Sequence, residues 1–294
     1  MIVIERRASA ILYNIVRSHE DLRPYLIPAN VCPIVRDTLV EAGQPFELVD
    51  IVEPSLDLDI ATCIERVRVQ PGSYAGLIFV RAYGSERDPT DSFLRLKESQ
   101  PDLLLIDDKC LSRPDVDGER LTSVADVTLF STGYAKHTDI GGGGFAHLRE
   151  DVAYRRDNRA PAEWLDLRPP DSSWDEYRRA IIEGARLSDE HKRRLNAIYA
   201  KALPPEIQLP PELQSWRFNI RVPDAARLVS SIFAAGLFAS RHYASLGDAG
   251  CFPCAERLHG DIVNLFNDRY FDEERAHRLV ELVLRHLDEL ERTS

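Results

Sequence analysis

One lysine stands out by its surroundings. Lys136 lies five residues after Ser131 and is followed by four consecutive glycines at 141–144, in the run LFSTGYAKHTDIGGGGFAHL. Read for local structure, this run is a strand end, a polar turn, a lysine, a backbone hinge and a second strand. Consecutive glycines lift the steric limits on φ and let backbone or ligand approach closely. A lysine held beside such a loop can lose solvation, drop its pKa and act as an amine nucleophile. The same residues also suit a flexible turn with a solvated lysine. The elements around them decide between the two.

Those elements alternate. Residues 9–16 open an amphipathic helix for which Ser9 is a candidate N-cap. A short apolar run ends at Pro28, and residues 33–42 have helical spacing. Strands are expected at 46–51, 76–81, 103–106, 126–130 and 144–148, with helices at 58–69 and 91–99. The runs at 76–81 and 103–106 are continuously apolar, as in strands buried on both faces. Strands alternating with helices predict an open parallel sheet covered on both sides. Ligands gather at the carboxyl ends of such strands. Asp107, Asp108, Ser131 and the Tyr83-Gly84 pair all lie just past strand ends, so they could share one cleft with Lys136.

After residue 151 the character changes. Residues 160–173 are rich in Pro, Asp and Arg, 174–202 read as a long charged helix, and two Pro-Pro pairs break it off. Beyond Trp216 come strand 218–222, helix 225–235, strands 239–243 and 261–266, and helix 272–290. The expected division is 1–160 as a large domain, 161–215 as linker and long helix, and 216–294 as a small C-terminal α+β domain.

The chain has 294 residues, enough for one sizeable core or two linked ones. Lys and Arg number 37 against 48 Asp and Glu, a formal charge of −11. That charge disfavours nucleic acid and anionic membranes as partners. The N-terminal MIVIERRASAIL is interrupted by Glu5, Arg6 and Arg7 and lacks the apolar core of a signal peptide. No apolar run reaches the length of a membrane span. Five cysteines form no disulfide framework, so a reducing, cytoplasmic setting is expected.

The order Ile27-Pro-Ala-Asn-Val-Cys-Pro33, Val49-Asp50, Val80-Arg-Ala-Tyr-Gly84, Ile106-Asp-Asp108, then Phe130-Ser131, Lys136 and Gly143 resembles the DegT/DnrJ/EryC1/StrS family of pyridoxal-phosphate (PLP) aminotransferases, often called sugar aminotransferases. The resemblance covers most of residues 5–150 and is weaker over 215–290, where Ser240-Arg-His-Tyr243 and Ile262-Val-Asn-Leu-Phe266 are similar to small-domain strands. It implies an α/β protein of fold type I: a mostly parallel seven-stranded sheet flanked by helices, PLP at its carboxyl edge, a small C-terminal α+β domain and a homodimer. By the same resemblance Lys136 would hold PLP as a Schiff base and shuttle the proton. Asp108 would keep the pyridine nitrogen protonated, which makes the ring an electron sink. Asp107 is then a structural or supporting group, because only one carboxylate can face that nitrogen. Ser131 matches a serine that bonds the cofactor phosphate. Arg7-Ala8-Ser9-Ala10 takes the place of a phosphate loop at a helix start, where backbone N–H groups and the dipole suit a dianion. Ser9 and Ala10 are thus cofactor candidates, with a plain helix cap the other reading of Ser9.

Cys32 and Cys110 would lie against the cofactor ring. The chain departs from the family pattern there: Cys32 is small where an aromatic residue is common, Cys110 replaces Ala or Ser, and Leu111 replaces Gln or His. The segment that reaches a partner subunit's site is not recognisable between 160 and 216. Tyr83, Arg81 and His242 are substrate candidates. Arg81 could meet a carboxylate or phosphate bidentately or sit in a structural ion pair. Tyr83-Gly84 could line the cleft or mark a strand-to-turn junction, and His242 could sit at the substrate entrance or merely pack.

Outside the resemblance, Cys251-Phe-Pro-Cys254 lacks the second pair a structural zinc site needs, so ordinary thiols and no metal are expected. The charged run at 191–195 reads as a solvated helix face. The expected function is amino transfer from an amino acid such as glutamate to a keto sugar or small carbonyl compound. Racemisation or carbon–carbon bond chemistry on PLP is the alternative within enzymes, and a non-catalytic regulatory or scaffold homologue the alternative outside them.

Overall fold

The computed structural model describes residues 1–157, 162–241 and 243–293. Seven strands make the main sheet: β1 (Ile2–Glu5), β2 (Tyr25–Pro28), β3 (Phe46–Val49), β4 (Gly76–Val80), β5 (Leu104–Asp108), β6 (Val127–Ser131) and β7 (Gly144–Leu148). Their order is β1-β7-β6-β5-β4-β2-β3. The five strands from β6 to β3 run parallel. β7 turns back antiparallel to β6, and β1 pairs antiparallel with β7. The mostly parallel seven-stranded sheet is as expected, but β1 was not anticipated. Ile2-Val3-Ile4 is β-branched and short, and only its partner β7 makes it a strand.

Helices cover both faces. α1 (Ala8–His19) and α2 (Pro33–Glu41) lie on one side, and α3 (Ile60–Val69) and α4 (Thr90–Ser99) on the other. The period of two in β5 sorts its side chains: Leu104 and Ile106 join the core under α1 and α2, while Leu103 and Leu105 join that under α3 and α4. Ser9 is not the cap of α1. Arg7 holds that position with extended backbone and no side-chain cap, and Ser9 falls inside the first turn.

α5 (Trp174–Ala202) starts where Ser173 and Glu176 form a reciprocal capping box. It ends before Pro204 and Pro205. Its early turns, through Tyr177 and Ile181, pack on Phe130 and Phe145 of the main sheet. Its late turns, through Leu195 and Tyr199, enter a second core built on β8 (Phe218–Arg221), α6 (Ala225–Ala234), β9 (Ala239–Ser240), β10 (Ile262–Leu265) and α8 (Glu273–Thr293). These three strands form an antiparallel sheet in the order β8-β10-β9. The cysteine pair opens an unanticipated helix, α7 (Pro253–Asp261), and both thiols are free. Asp50 accepts the Cys254 and Ala255 N–H groups at 2.9 Å each, so it caps α7 from the main sheet's side.

The charged run at 191–195 is a solvated face only in part: Arg193 and Arg194 are exposed, but Lys192 is not. Lys192 is buried, with its ammonium donating to the Trp216 carbonyl at 2.7 Å and to Asn267 Oδ1 at 2.9 Å. Helical spacing explains the error: Lys192 falls seven residues after buried Ala185, on the inward stripe. Among the described residues, no helix is long and apolar enough to cross a membrane.

Candidate active site

A cavity of about 910 Å³ opens on the α1–α2 side of the sheet, at the carboxyl ends of the parallel strands. Asp108, Ser131, Lys136, Ser9, Cys32, Cys110 and Tyr83 all line it. These residues come from five separate stretches of chain, brought together because parallel strands end on one edge.

Asp108 closes β5 and is 5 % exposed. Its parity with Leu104 and Ile106 turns it toward the α1–α2 face. Burial raises its pKa from the ordinary carboxylate value, while the hydrogen bond from the Cys110 N–H, at 2.9 Å, and the charge of Lys136 pull the other way. The Cys110 thiol is pushed well up, first by burial and then by the Asp108 charge. It is therefore a neutral wall of the cavity.

Lys136 sits in the turn after β6 and is half-buried. Its ammonium makes no hydrogen bond or ion pair to a described residue. The turn itself is held from several sides. Ala135 adopts φ +60°, and its carbonyl accepts from the Trp216 indole N–H at 2.6 Å. The Ser188 hydroxyl of α5 donates to the His137 carbonyl. Thr132 Oγ1 contacts the Tyr177 hydroxyl at 2.6 Å and donates to the Gly142 carbonyl at 2.7 Å. His137 is buried and its pKa is driven well below the usual value by that burial. It is thus a packing group beside the lysine.

Two of the four glycines are required by contact. At Gly143, φ is +99° and a Cβ would collide with the Tyr177 hydroxyl. At Gly144 a Cβ would lie 2.5 Å from the Ala8 nitrogen, so α1 could not start against β7. The glycines therefore bring the start of α1 close to the turn that carries Lys136. The Ser9 hydroxyl there is buried without a hydrogen-bond partner and lines the cavity. Ser131, 7 % exposed, lines it from the end of β6. Glu5 also faces this end, with Arg156 Nε 2.7 Å from one carboxylate oxygen.

Several candidates take other roles. Ala10 is fully buried in the core and absent from the cavity wall, and its N–H donates to the Arg7 carbonyl at 3.1 Å. Arg81 reaches the wall but gives its guanidinium to Asp107, with bonds of 2.6 and 2.8 Å, and to Thr122. That is the ion-pair alternative, reached because Val80 ends β4 opposite Asp108. Tyr83 is wholly buried, at φ +51°, with its ring stacked on Trp216 at 6.4 Å between centroids. Gly84 lies outside the cavity wall, and a Cβ there would meet the Leu111 carbonyl oxygen. Cys32, half-buried at the start of α2, meets the hydroxyl of Tyr243, which also lines the cavity. His242 lies outside the described residues.

Sequence reasoning did not single out Trp216 or Tyr177 as site residues, although both line the cavity. Tyr177 carried a signal, since it shares a helical stripe with Ile181 and Ala185. Trp216 carried none, because its partner Ala135 is 81 residues away.

The donor set matches PLP. An uncapped helix start with an unpartnered hydroxyl suits a phosphate. A buried carboxyl, Asp108, and an unpaired amine, Lys136, suit the ring nitrogen and the aldehyde.

No protein-family model matches the sequence, and no curated protein matches it. Solved structures do share the fold. An aminotransferase named TlmJ from Streptoalloteichus hindustanus is 15% identical, with a TM-score of 0.76 over 98% of this chain and 86% of its own. A DegT DnrJ EryC1 StrS aminotransferase from Brucella abortus is 15% identical, with a TM-score of 0.71 over 97% of this chain and 85% of its own. The sugar aminotransferase CalS13 from Micromonospora echinospora is 16% identical, with a TM-score of 0.70 over 96% of this chain and 86% of its own. The chain thus has the α/β fold of PLP-dependent aminotransferases over nearly its whole length.

Proposed function

We propose that this protein is a PLP-dependent aminotransferase of the DegT/DnrJ/EryC1/StrS type, acting on a small carbonyl substrate with an amino acid as nitrogen donor. The observation that carries the reading is the unpaired ammonium of Lys136 sharing one cavity with buried Asp108. The aminotransferases that share the fold support it. Bound PLP supplies an electron sink that stabilises negative charge on the carbon bearing the amino group.

The chain's own residues do the rest. Lys136 Nζ anchors the cofactor and, once released, takes up and returns the substrate proton. Asp108 holds the ring nitrogen, where a carboxylate favours the protonated form. Ser9, Ser131 and the start of α1 receive the phosphate. Cys110 and Cys32 bound the cavity without adding charge. The unpaired state of Lys136 matters, because an amine locked in an ion pair would have to break it before reacting.

In this reading the protein works in the cytoplasm as a homodimer, and its large domain spans residues 1–160, its linker and long helix 161–215 and its small domain 216–294. Purified protein incubated with PLP should develop a near-visible absorbance band. Borohydride should abolish that band and leave the label on Lys136. Loss of the band on adding glutamate, with formation of 2-oxoglutarate, is the expected sign of amino transfer. A protein that takes up no PLP would end this reading, and Lys136→Ala with undiminished turnover would remove the lysine from it.

A further inference from the structure

Trp216 is fixed at four points. Its N–H donates to the Tyr83 carbonyl at 3.2 Å, and its own carbonyl accepts from the buried Lys192 ammonium at 2.7 Å. Its ring stacks on Tyr83 with 20° between planes. Its indole N–H reaches across the cavity wall to the Ala135 carbonyl at 2.6 Å. That last bond spans the two parts of the molecule, since Trp216 precedes β8 of the small sheet and Ala135 follows β6 of the large one.

Ala135 is a non-glycine residue with φ +60°. Such a backbone persists only where neighbours over-determine it. The carbonyl of Ala135 belongs to the peptide that leads into Lys136, so the orientation of that peptide sets where the Lys136 side chain leaves the backbone. The Lys136 N–H bonds the Gly133 carbonyl at 3.2 Å, which ties the near side of the turn but leaves the Ala135 carbonyl to Trp216.

We propose that Trp216 is the positioning residue for Lys136: its indole N–H holds the Ala135–Lys136 peptide in the orientation that keeps the lysine amine inside the cavity. Lys192 stands behind it, since it secures the Trp216 carbonyl from α5. The catalytic meaning of this clamp rests on the aminotransferase reading. The clamp itself does not, and it is testable in cofactor-free protein.

The experiment is competitive acylation of cofactor-free protein with a limiting amine-reactive ester, read for each lysine by peptide mass spectrometry. Trp216→Phe keeps an aromatic ring and removes the donor. Loss of one hydrogen bond corresponds to about a three- to ten-fold change, so Lys136 labelling should rise by about that factor while exposed Lys201 stays unchanged. In the PLP-loaded enzyme the same variant should lower kcat with KM little altered. Lys192→Met removes the donor that secures the Trp216 carbonyl and should raise Lys136 labelling even if Trp216→Phe fails to fold. Unchanged Lys136 labelling in a folded variant overturns the proposal, and so does a rise shared by Lys201. Absence of a PLP band in the wild-type protein would end the aminotransferase reading and leave the labelling result standing.

Discussion

Asp107 and Asp108 are adjacent in β5 and serve opposite faces of the sheet. Asp107, wholly buried, accepts two hydrogen bonds from Arg81, while Asp108 faces the cavity and receives the Cys110 N–H. Strand alternation makes the split unavoidable, and it assigns one carboxylate to structure and the other to chemistry.

The Arg81–Asp107 pair is dry on both sides, at 2 % and 0 % side-chain exposure. Removing one partner of such a pair leaves an uncompensated charge, which costs about 3–5 kcal/mol. Arg81→Met should lower unfolding free energy by that order in urea titrations. Adding Asp107→Asn to it should recover part of the loss, and a loss that the second change deepens would contradict the pairing.

Asp108 should show a conflict between stability and binding. Its folded pKa is raised by burial, so the fold disfavours the ionised form. Its stabilising contribution is full below the unfolded pKa of 3.8 and declines as pH rises toward the folded value. Asp108→Asn should therefore melt higher than wild type at pH 7 in the absence of cofactor, and the gain should vanish near pH 3. The same variant should retain PLP poorly on gel filtration.

Lys192 gives the opposite pH dependence. Burial lowers its pKa from 10.5 to about 7, so between those values the unfolded chain carries a proton that the folded chain does not. Stability then rises with pH through that window. The stability of wild type minus that of Lys192→Met should grow by about 2 kcal/mol from pH 7 to pH 9. A difference that is flat across this range would mean the lysine stays charged in the fold.

Ser9 should separate binding from folding. Its hydroxyl is buried without a partner, so Ser9→Ala removes no hydrogen bond from the cofactor-free protein and should leave its melting temperature within error. Affinity for PLP, measured by fluorescence titration, should fall about five- to ten-fold if the hydroxyl meets the phosphate.

Gly144→Ala tests the junction of β7 and α1. The added methyl would sit 2.5 Å from the Ala8 nitrogen, a backbone atom that cannot rotate away. A loss of about 1–3 kcal/mol is expected from such overpacking, and thermal unfolding would read it directly.

Much of this was legible in the sequence. The strands β4 and β5 are continuous apolar runs because both their faces are covered, and that signal needs no tertiary knowledge. The sequence bounds α5 at 174–202, where paired prolines end it, a local signal; its Ser173–Glu176 capping box emerges only from the structure. The site residues Asp108, Ser131 and Lys136 followed from strand ends and the family resemblance. Other features depend on distant partners. In the run at 191–195, Arg193 and Arg194 are solvated as their charge implies, while the helical register turns Lys192 inward. Ala10 is a phosphate candidate only through the family resemblance of residues 7–10, and the start of α1 at Ala8 puts it inside the helix with its N–H already bonded to Arg7. α7 carries weak local signals, since it is only nine residues long, opens on Pro253 and contains Gly260 in its last turn. The sequence leaves Arg81 between a substrate contact and a structural ion pair, and only the register of β4 on β5, which brings it to Asp107, decides it.

α5 has a mechanical consequence. Tyr177 bonds Thr132 beside the glycine turn, and Tyr199 is locked in the core of the small sheet. Along a straight helix these two tyrosines are about 33 Å apart, so a tilt of about 5° at one end carries the other through about 3 Å. The helix is a lever with its handle in one lobe and its tip at the reactive turn. A displacement of that size exceeds the reach of a hydrogen bond, so the 2.6 Å contact between Tyr177 and Thr132 requires the small sheet to hold α5 in this orientation.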